Sequence, residues 1–300
     1  LTLSGVTTSN NNYQYHCLII GDNVETVELL TTVGSGNWTC PSNVYEASVE
    51  CWGGGGAGGW ICLNNETSGC TGGGGGGAYA KSILSFIPGT SYSYNVGEGG
   101  KCYAGDGSYY PPTASYFNTN SVLAQPGSNF GWGSTNSMGF AGGSASTSIG
   151  TVKYSGGRGR TYSSGSTVAG GGGGAAGSLG PGGDALTTNG GIGANEFGGN
   201  GGDGASYSGY GAHYGSSGNN YGAGGGGGYA VFVNPVTNCY SVGGDGANGL
   251  IRITYTLNNR LSNVATLTVN PLPVSAGTIS GTTTVCQGET SVNYTVPAIT

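Results

Sequence analysis

Runs of consecutive glycine residues are the feature of this sequence that most restricts its fold. Glycine supplies 68 of the 300 residues. The runs lie at residues 53–56, 72–77, 171–174, 198–199 and 224–228. Each glycine inside a helix costs about 1 kcal/mol relative to alanine, and no apolar repeat of 3.6 residues is present. The sequence therefore predicts an all-β protein.

Two structures are open to a glycine run: a flexible linker or an ordered, tightly packed segment. Ordering glycine costs more backbone entropy than ordering any other residue, so the order must be offset by new contacts. Extended three-fold segments without Cβ atoms can lie almost backbone to backbone and hydrogen-bond to their neighbours, as chains approach closely in collagen. Aromatic residues make up 10% of the chain and the net charge is only −6, which is atypical of disorder. We therefore predict a packed bundle of polyglycine-II segments.

Segments with a period of two surround the glycine runs and read as β-strands. They cover residues 45–52, 78–84, 90–96, 229–233 and 250–255. Pro88-Gly89 stands between the second and third of these, where it predicts a tight turn. Together with the runs, these strands predict a glycine-rich β-sandwich over residues 34–256.

The first 33 residues are poor in glycine and read as the end of another domain. Tyr15 stands two residues before Cys17, the spacing of the tyrosine corner in immunoglobulin-like sandwiches. Residues 27–30 would form the final strand. We therefore expect residues 1–33 to be the C-terminal strands of an immunoglobulin-like domain and the chain to be a slice of a longer polypeptide.

The last 44 residues also differ in composition from the centre, because they contain little glycine. Residues 264–269 alternate as a strand, and Pro271 and Pro273 suggest a stiff linker. Cys286 lies in what reads as a new β-segment. Residues 257–300 are therefore predicted to be a linker and the first strands of a further immunoglobulin-like or PKD-like domain, so that fragments of two sandwiches flank the centre.

The low charge of the chain excludes several function classes. Only 7% of residues are charged, and Lys and Arg together number 7. So few cations cannot form a basic face, so we expect no nucleic-acid partner. No apolar stretch approaches about 18 residues, so we expect no direct membrane insertion.

The sequence contains few residues of the types that catalyse reactions or bind metal ions. His16 and His213 are the two histidines, and the second lies in a glycine-tyrosine loop where an exposed polar residue is expected. Glu46 and Glu50 share a strand face but stand about 13 Å apart at strand rise, too far for either glycosidase geometry. We expect no enzyme activity, no catalytic residue, no cofactor and no metal.

Aspartates that follow glycine pairs resemble parts of calcium loops. Asp184, Asp203 and Asp245 each follow such a pair. Calcium needs six to eight oxygen ligands, usually including several carboxylates, and the spacing here is irregular. We expect these aspartates to hydrogen-bond their own backbone in turns.

Eight cysteines without a C-x-x-C pair favour disulfide bonds and an extracellular location. The candidates in the centre are Cys40, Cys51, Cys62, Cys70, Cys102 and Cys239. Their pairing is open; a bond between Cys62 and Cys70 would close a short loop, and one between Cys102 and Cys239 would constrain the unfolded chain most. Free buried thiols are the alternative.

Aromatic residues cluster in the segments between glycine runs and are the candidates for ligand binding. Tyrosine and tryptophan offer apolar faces with a polar handle, which suits glycan or protein contacts. Packing inside the bundle is the alternative. The candidate residues are Trp60, Tyr109, Tyr110, Trp132, Tyr207, Tyr210, Tyr214 and Tyr221.

Several of these motifs together resemble a known family. The sequence reads W-T-C-P at residues 38–41, C-W-G-G-G-G at 51–56, and G-G-D-G-A-N-G-L-I-R-I at 243–253. Over residues 34–256 the chain resembles the glycine-rich domain of bacterial surface proteins and phage tail-fibre adhesins. The flanks resemble immunoglobulin-like and PKD-like repeats of large Bacteroidetes surface proteins, among them gliding-motility adhesins exported by the type IX secretion system.

This resemblance implies a secreted, cell-surface, adhesive role and implies no catalytic residues. The expected partners are a glycan or protein surface ligand and the machinery for secretion and outer-membrane anchoring. Two other functions remain open: a structural spacer in a surface filament, and an accessory binding domain of a secreted polysaccharide-degrading enzyme.

Overall fold

A computed structural model describes most of the chain. The described residues are 7–15, 24–63, 66–102, 110–129, 138–162, 167–194, 197–236, 239–257, 265–269, 280–281 and 293–295. The chain forms two compact units, one of residues 22–258 and one of residues 1–21 with 259–300. The described part contains strands and one 3-10 helix but no α-helix, which confirms the predicted all-β class.

The strands are short and run through both units. In chain order they are β1 (Gln14–Tyr15), β2 (Glu25–Leu30), β3 (Gly34–Thr39), β4 (Glu46–Trp52), β5 (Ile61–Leu63), β6 (Glu66–Cys70), β7 (Tyr79–Ser85), β8 (Ser91–Val96), β9 (Ser115–Phe117), β10 (Val122–Ala124), β11 (Val152–Tyr154), β12 (Gly211–His213), β13 (Tyr229–Val236), β14 (Cys239–Ser241), β15 (Leu250–Thr256), β16 (Ala265–Thr266), β17 (Ser280–Gly281) and β18 (Tyr294–Thr295). The 3-10 helix spans Thr8–Asn10.

In the unit of residues 22–258, two antiparallel sheets face each other as a sandwich. One has the order β10-β9-β8-β3 and the other β11-β7-β4-β15-β2. Side chains from both sheets form one buried cluster, including Trp38 of β3, Phe117 of β9 and Val49 of β4. The Trp38 ring meets Phe86 and Phe117 edge-on, with centroids 5.2 and 5.9 Å apart. This aromatic core between the sheets confirms the predicted β-sandwich.

The edge strand β2 belongs to this sandwich. It pairs with β15 from Glu25 opposite Thr256 to Leu30 opposite Ile251. The expectation that residues 27–30 complete a separate upstream domain is therefore wrong. Alternation identifies a strand, but it does not identify the sheet edge whose open hydrogen-bonding groups the strand will pair.

The second unit joins the two ends of the chain. Strand β1 pairs with β16, with Tyr15 opposite Ala265, and β17 pairs with β18. The two flanks thus pair with each other through β1 and β16, whereas β17 and β18 both belong to the C-terminal flank. Cys17, Pro271, Pro273 and Cys286 lie outside the described residues, so the predicted immunoglobulin-like character of the flanks stays a prediction.

The glycine runs extend the sandwich strands into a bundle. Beyond the Trp52–Tyr79 pair of β4 and β7, the register continues as hydrogen bonds from Gly53, Gly56 and Gly59 to the carbonyls of residues 78, 75 and 72. In the glycine segments the hydrogen bonds recur at every third residue. In an antiparallel β-ladder they recur at every second residue. A three-residue repeat is that of the polyglycine-II conformation.

Each inner segment of the bundle is hydrogen-bonded to neighbours on all sides. Residues 71–78 donate amide hydrogens to residues 222–228, 157–160 and 125–128, and accept them from residues 53–59, 140–143 and 170–176. Residues 169–176 and 222–228 are surrounded in the same way. These bonds satisfy backbone groups that would be costly to bury unpaired, and they confirm the predicted packing of polyglycine-II segments.

Close approach of the segments is what requires glycine. A Cβ atom on Gly75 would overlap the carbonyl oxygen of Ala141, and one on Gly73 would overlap that of Gly171. Neither glycine has a positive φ, so steric room and not backbone conformation determines the residue. Some buried positions of the bundle carry alanine instead of glycine, as at the fully buried Ala78.

The inner segments connect two aromatic clusters. At the sandwich end, Trp52 and Tyr79 pack with Ala176 and Tyr221. At the opposite end, Tyr229 packs with Ala169 and Cys70. Six to seven residues in polyglycine II span about 20 Å. We call the end built on Tyr229 the cap; it comprises β5, β6, β12, β13 and β14.

Candidate functional site

The cap is built on two small sheets at the end of the bundle. Strand β13 lies between β12 and β6, and β14 pairs with β5. Tyr229 begins β13 directly after the last glycine run and is buried under the segment that leads into β12. Burial raises the pKa of Tyr229 above its usual value. The bundle therefore supplies a rigid base for the surface residues of the cap.

Three predicted binding residues lie together on the segment around β12. Tyr207 is 48% exposed, and Tyr210 and Tyr214, which bracket β12, are each 66% exposed. We call these residues the cap tyrosines. Their exposure shows that these three rings do not fill the interior of the bundle, which was the alternative to a surface role.

Contacts below the cap tyrosines fix their segment in place. The rings of Tyr207 and His213 lie 6.3 and 6.0 Å from that of Tyr229, the first edge-on and the second stacked. The two ring nitrogens of His213 hydrogen-bond to Ser208 Oγ at 3.2 Å and to the Gly209 carbonyl at 2.8 Å. The segment is thus ordered before any ligand arrives.

His213 is a positioning residue that the sequence did not reveal. We expected an exposed polar side chain, but its ring is half-buried between Tyr229 and the turn at Gly209. Gly209 and Gly211 have φ values of +132° and +136°, which glycine adopts without strain. The glycine on each side of Tyr210 was the sequence feature that could have indicated this turn.

The other aromatic residues predicted to bind a ligand are not part of the segment around β12 that carries the cap tyrosines. Trp60 is half-buried and directly precedes β5, so it lies at the cap. Tyr110 is exposed beside Lys101, and its carbonyl accepts a hydrogen bond from Asn129 Nδ2 at 3.1 Å. Tyr109 and Trp132 lie outside the described residues.

Tyr221 belongs to the opposite end of the bundle from the cap tyrosines. Its ring lies 6.4 Å from Phe197, within the cluster around Trp52. The structure therefore does not bring it together with Tyr207, Tyr210 and Tyr214, although all four occur within 15 residues of sequence. The bundle segment of residues 215–219 separates them by returning along the bundle.

A buried ion pair lies on the outer face of the five-stranded sheet. Glu50 Oε2 accepts a hydrogen bond from Arg252 Nε at 2.6 Å, and Glu50 Oε1 accepts one from the Tyr79 hydroxyl at 2.5 Å. The guanidinium also lies over the rings of Trp52 and Phe197. Burial and the bond to Glu50 raise the pKa of Tyr79. This network joins three strands where the sheet meets the bundle, whereas Glu46, on the same strand as Glu50, is exposed.

Aspartates complete the hydrogen bonding at the edges of the bundle. The Oδ1 atoms of Asp184, Asp203 and Asp245 accept hydrogen bonds from the amides of Arg158, Gly190 and Cys102, respectively, at 2.7 to 2.8 Å. The expectation that they bond their own turns is wrong, because each bonds another segment. At the edge of the bundle an aspartate carboxylate accepts the amide hydrogen bond that a backbone carbonyl of a neighbouring segment accepts inside the bundle.

The cysteines whose side chains are described form no disulfide bond with one another. Cys40 and Cys51 are free thiols in the sandwich core, and Cys102 is a free, half-buried thiol. Burial raises the pKa of Cys102 to about 12. The expectation that Cys40, Cys51 and Cys102 form disulfide bonds is therefore wrong. Cys40 and Cys51 instead pack as thiols in the hydrophobic core between the sheets. Cys70 is buried, and the side chains of Cys62 and Cys239 lie outside the description.

Two further features, a metal-binding cluster and a membrane-spanning helix, are absent from the part of the chain that the structure describes. That part of the chain has no cluster of histidine, cysteine and carboxylate side chains able to hold a metal ion. It also has no helix with the length and apolar character needed to cross a membrane.

Comparison with known proteins identifies the fold unit. A family model described as a glycine-rich domain matches residues 31–256, and no curated protein sequence matches the chain. The match begins just before β3 and ends at the last residue of β15, so it spans the bundle, the cap and the two facing sheets except for the edge strand β2. The chain therefore belongs to the glycine-rich domain family.

Proposed function

We propose that this chain is an adhesive module of a large secreted cell-surface protein, and that it binds its ligand through the cap tyrosines. In this proposal the chain acts by noncovalent binding and not as an enzyme. The resemblance of the flanks to surface-protein repeats supports an extracellular location, a role in adhesion such as that used in gliding, and export by the type IX system.

The observation that carries the proposal is the exposure of three tyrosine rings on a fixed base. Tyr210 and Tyr214 are two-thirds exposed, while the segment between them is held by the stacking of His213 on buried Tyr229. Aromatic side chains that are both exposed and ordered lose little entropy when a ligand binds.

Tyrosine also has the appropriate chemistry for a saccharide or protein surface. Its ring packs against apolar faces, and its hydroxyl both donates and accepts hydrogen bonds. The segment from Ala205 to Gly215 contains no aspartate, glutamate, lysine or arginine. Recognition would therefore depend on packing and neutral hydrogen bonds and would be weakly affected by salt.

Adhesion of beads coated with the full 300-residue chain would test the proposal. The coated beads are applied to cell surfaces before and after periodate treatment, which destroys glycans, or protease treatment. The variant Tyr210→Ala/Tyr214→Ala is compared with Tyr45→Ala, which removes a tyrosine of similar exposure next to β4 in the sandwich. We expect the double variant to lose at least about tenfold in affinity, as for truncated aromatic anchors, and the Tyr45 variant to bind normally.

Each treatment has a defined interpretation. Loss after periodate alone identifies a glycan ligand, and loss after protease alone identifies a protein. Absence of adhesion by the wild-type chain, or equal loss in the Tyr45 variant, would overturn the proposal and favour a structural spacer.

A further inference from the structure

A cleft on the flank of the bundle has a composition different from that of the cap. It has a volume of about 320 Å³ and is lined by Arg158, Arg160, Thr161, Asp184 and Leu186, with Gly159 and Ala185 between them. Two of the chain's 7 Lys and Arg residues thus face one cavity in a protein of net charge −6. This concentration of positive charge requires a physical explanation.

The bundle holds the backbone of both arginines. The Arg160 amide donates to the Gly171 carbonyl at 2.8 Å, and the Arg160 carbonyl accepts from Gly73 at 3.2 Å. The Arg158 carbonyl accepts from Ala185 at 2.9 Å, and its Nε donates to the Gly139 carbonyl at 3.2 Å. The side chains therefore extend from fixed points, which lowers the entropy lost on ligand binding.

No carboxylate in the described part of the chain neutralises either guanidinium. The ion pairs there join Lys101 to Glu98 and Arg252 to Glu50. Asp184 lines the same cleft, but the bond it makes is to the backbone amide of Arg158. The cleft thus presents cationic donors and one carboxylate that can still accept hydrogen bonds.

We propose that this cleft binds an acidic saccharide, with the carboxylate of one sugar held by Arg158 and Arg160. Guanidinium groups bind carboxylates through charge-assisted hydrogen bonds in a planar arrangement. The Thr161 hydroxyl and the Asp184 carboxylate match the hydroxyl groups of the ring, and Leu186, which is 82% exposed, offers an apolar contact for its C–H face. A small inorganic oxyanion would use the arginines but not the other three side chains.

Binding of a fluorescent oligogalacturonate to the full chain tests this assignment. The matched neutral probe is the same oligosaccharide with its carboxylates reduced to alcohols. Arg160→Gln and Leu186→Asn alter side chains that extend from the bundle, and Lys101→Gln removes an equal charge elsewhere. We expect the neutral probe and the Arg160 variant each to bind about tenfold or more weakly, the Leu186 variant to bind several-fold more weakly, and the Lys101 variant to match wild type.

Control variants separate this site from the cap. Tyr210→Ala/Tyr214→Ala should keep full affinity for the oligogalacturonate, so failure of the adhesion proposal would leave this result unaffected. Equal binding of the charged and neutral probes, equal loss in the Lys101 variant, or no binding at all would overturn the assignment. If inorganic sulfate displaced the oligogalacturonate at an equal concentration, the cleft would be a site for small oxyanions and not for a saccharide.

Discussion

At the scale of single residues, the bundle distinguishes glycines that cannot be replaced from glycines that can. Inside the runs, a Cβ atom would collide with the backbone of a neighbouring segment, as at Gly75. At Gly180 nothing lies within 4 Å of an added Cβ, and φ is not in the left-handed region. Composition alone treats these two residues as equivalent.

Substituting alanine at these two glycines should therefore give opposite results. Gly75→Ala must displace the segment that carries Ala141, and we expect a loss of about 3 kcal/mol or more in the free energy of unfolding, at the upper end for overpacked sites. Gly180→Ala should be neutral or raise stability by up to about 1 kcal/mol, because it reduces the entropy of the unfolded chain. Denaturant unfolding measures both, and equal destabilisation would contradict the steric account.

At the scale of elements, the outer face of the five-stranded sheet depends on a charge network that joins three strands. Glu50 of β4, Tyr79 of β7 and Arg252 of β15 are linked by the two short hydrogen bonds described above. Because Glu50 is almost fully buried, its charge depends on these partners.

Removing the arginine should be more destabilising than removing an exposed lysine. Arg252→Gln leaves the Glu50 carboxylate buried beside a neutral side chain, and we expect a loss of about 3 kcal/mol or more in unfolding free energy. Lys101→Gln breaks a more exposed ion pair with Glu98 and should cost less than about 1 kcal/mol. Similar losses from chemical denaturation of the two variants would show that the buried network contributes little.

A second network links β15 to the edge strand β2. The hydroxyl of Tyr255 donates to Glu28 Oε1 at 2.5 Å, and Trp38 Nε1 donates to Glu28 Oε2 at 3.1 Å. Burial and the bond to Glu28 raise the pKa of Tyr255 to about 12. The protonated hydroxyl is thus favoured in the folded state.

This pKa predicts loss of stability at high pH. Unfolded tyrosine ionises near pH 10, whereas folded Tyr255 keeps its proton to about pH 12, so the stabilisation is complete below about pH 10 and is lost as the pH rises towards 12. The free energy of unfolding should fall less steeply between pH 10 and 12 in Tyr255→Phe than in wild type. Parallel pH profiles for the two proteins would refute the link to this hydroxyl.

At the scale of the whole molecule, the sandwich and the bundle form one continuous hydrogen-bonded structure. The registers of β4 with β7 and of β4 with β15 continue without a break into the glycine segments. A side-chain core stabilises one end, and backbone hydrogen bonds with close packing stabilise the rest. The cap tyrosines and the cleft lined by Arg158 and Arg160 are both attached to this bundle.

Hydrogen exchange should reveal this continuity. The amides of residues 73–77 each donate to a neighbouring segment, so we expect them to exchange only through global unfolding, with the same free energy as the core strands. The measurement is native-state exchange at increasing denaturant, followed by NMR or mass spectrometry. Exchange of these amides at the rate of an unstructured peptide would contradict a packed bundle.

The sequence by itself determined the fold class, the use of the glycine runs and four of the sandwich strands, namely β4, β7, β8 and β15. Glycine excludes helix, period-two segments mark the strands, and an ordered run without side chains must be stabilised by backbone contacts. Pairing between distant segments could only come from the tertiary structure. It assigned β2 to the sandwich, connected Asp184 to Arg158, and separated Tyr221 from Tyr214 by the length of the bundle. Runs of identical residues carry no information about which neighbour each will contact, so the register is set by the strands at their ends.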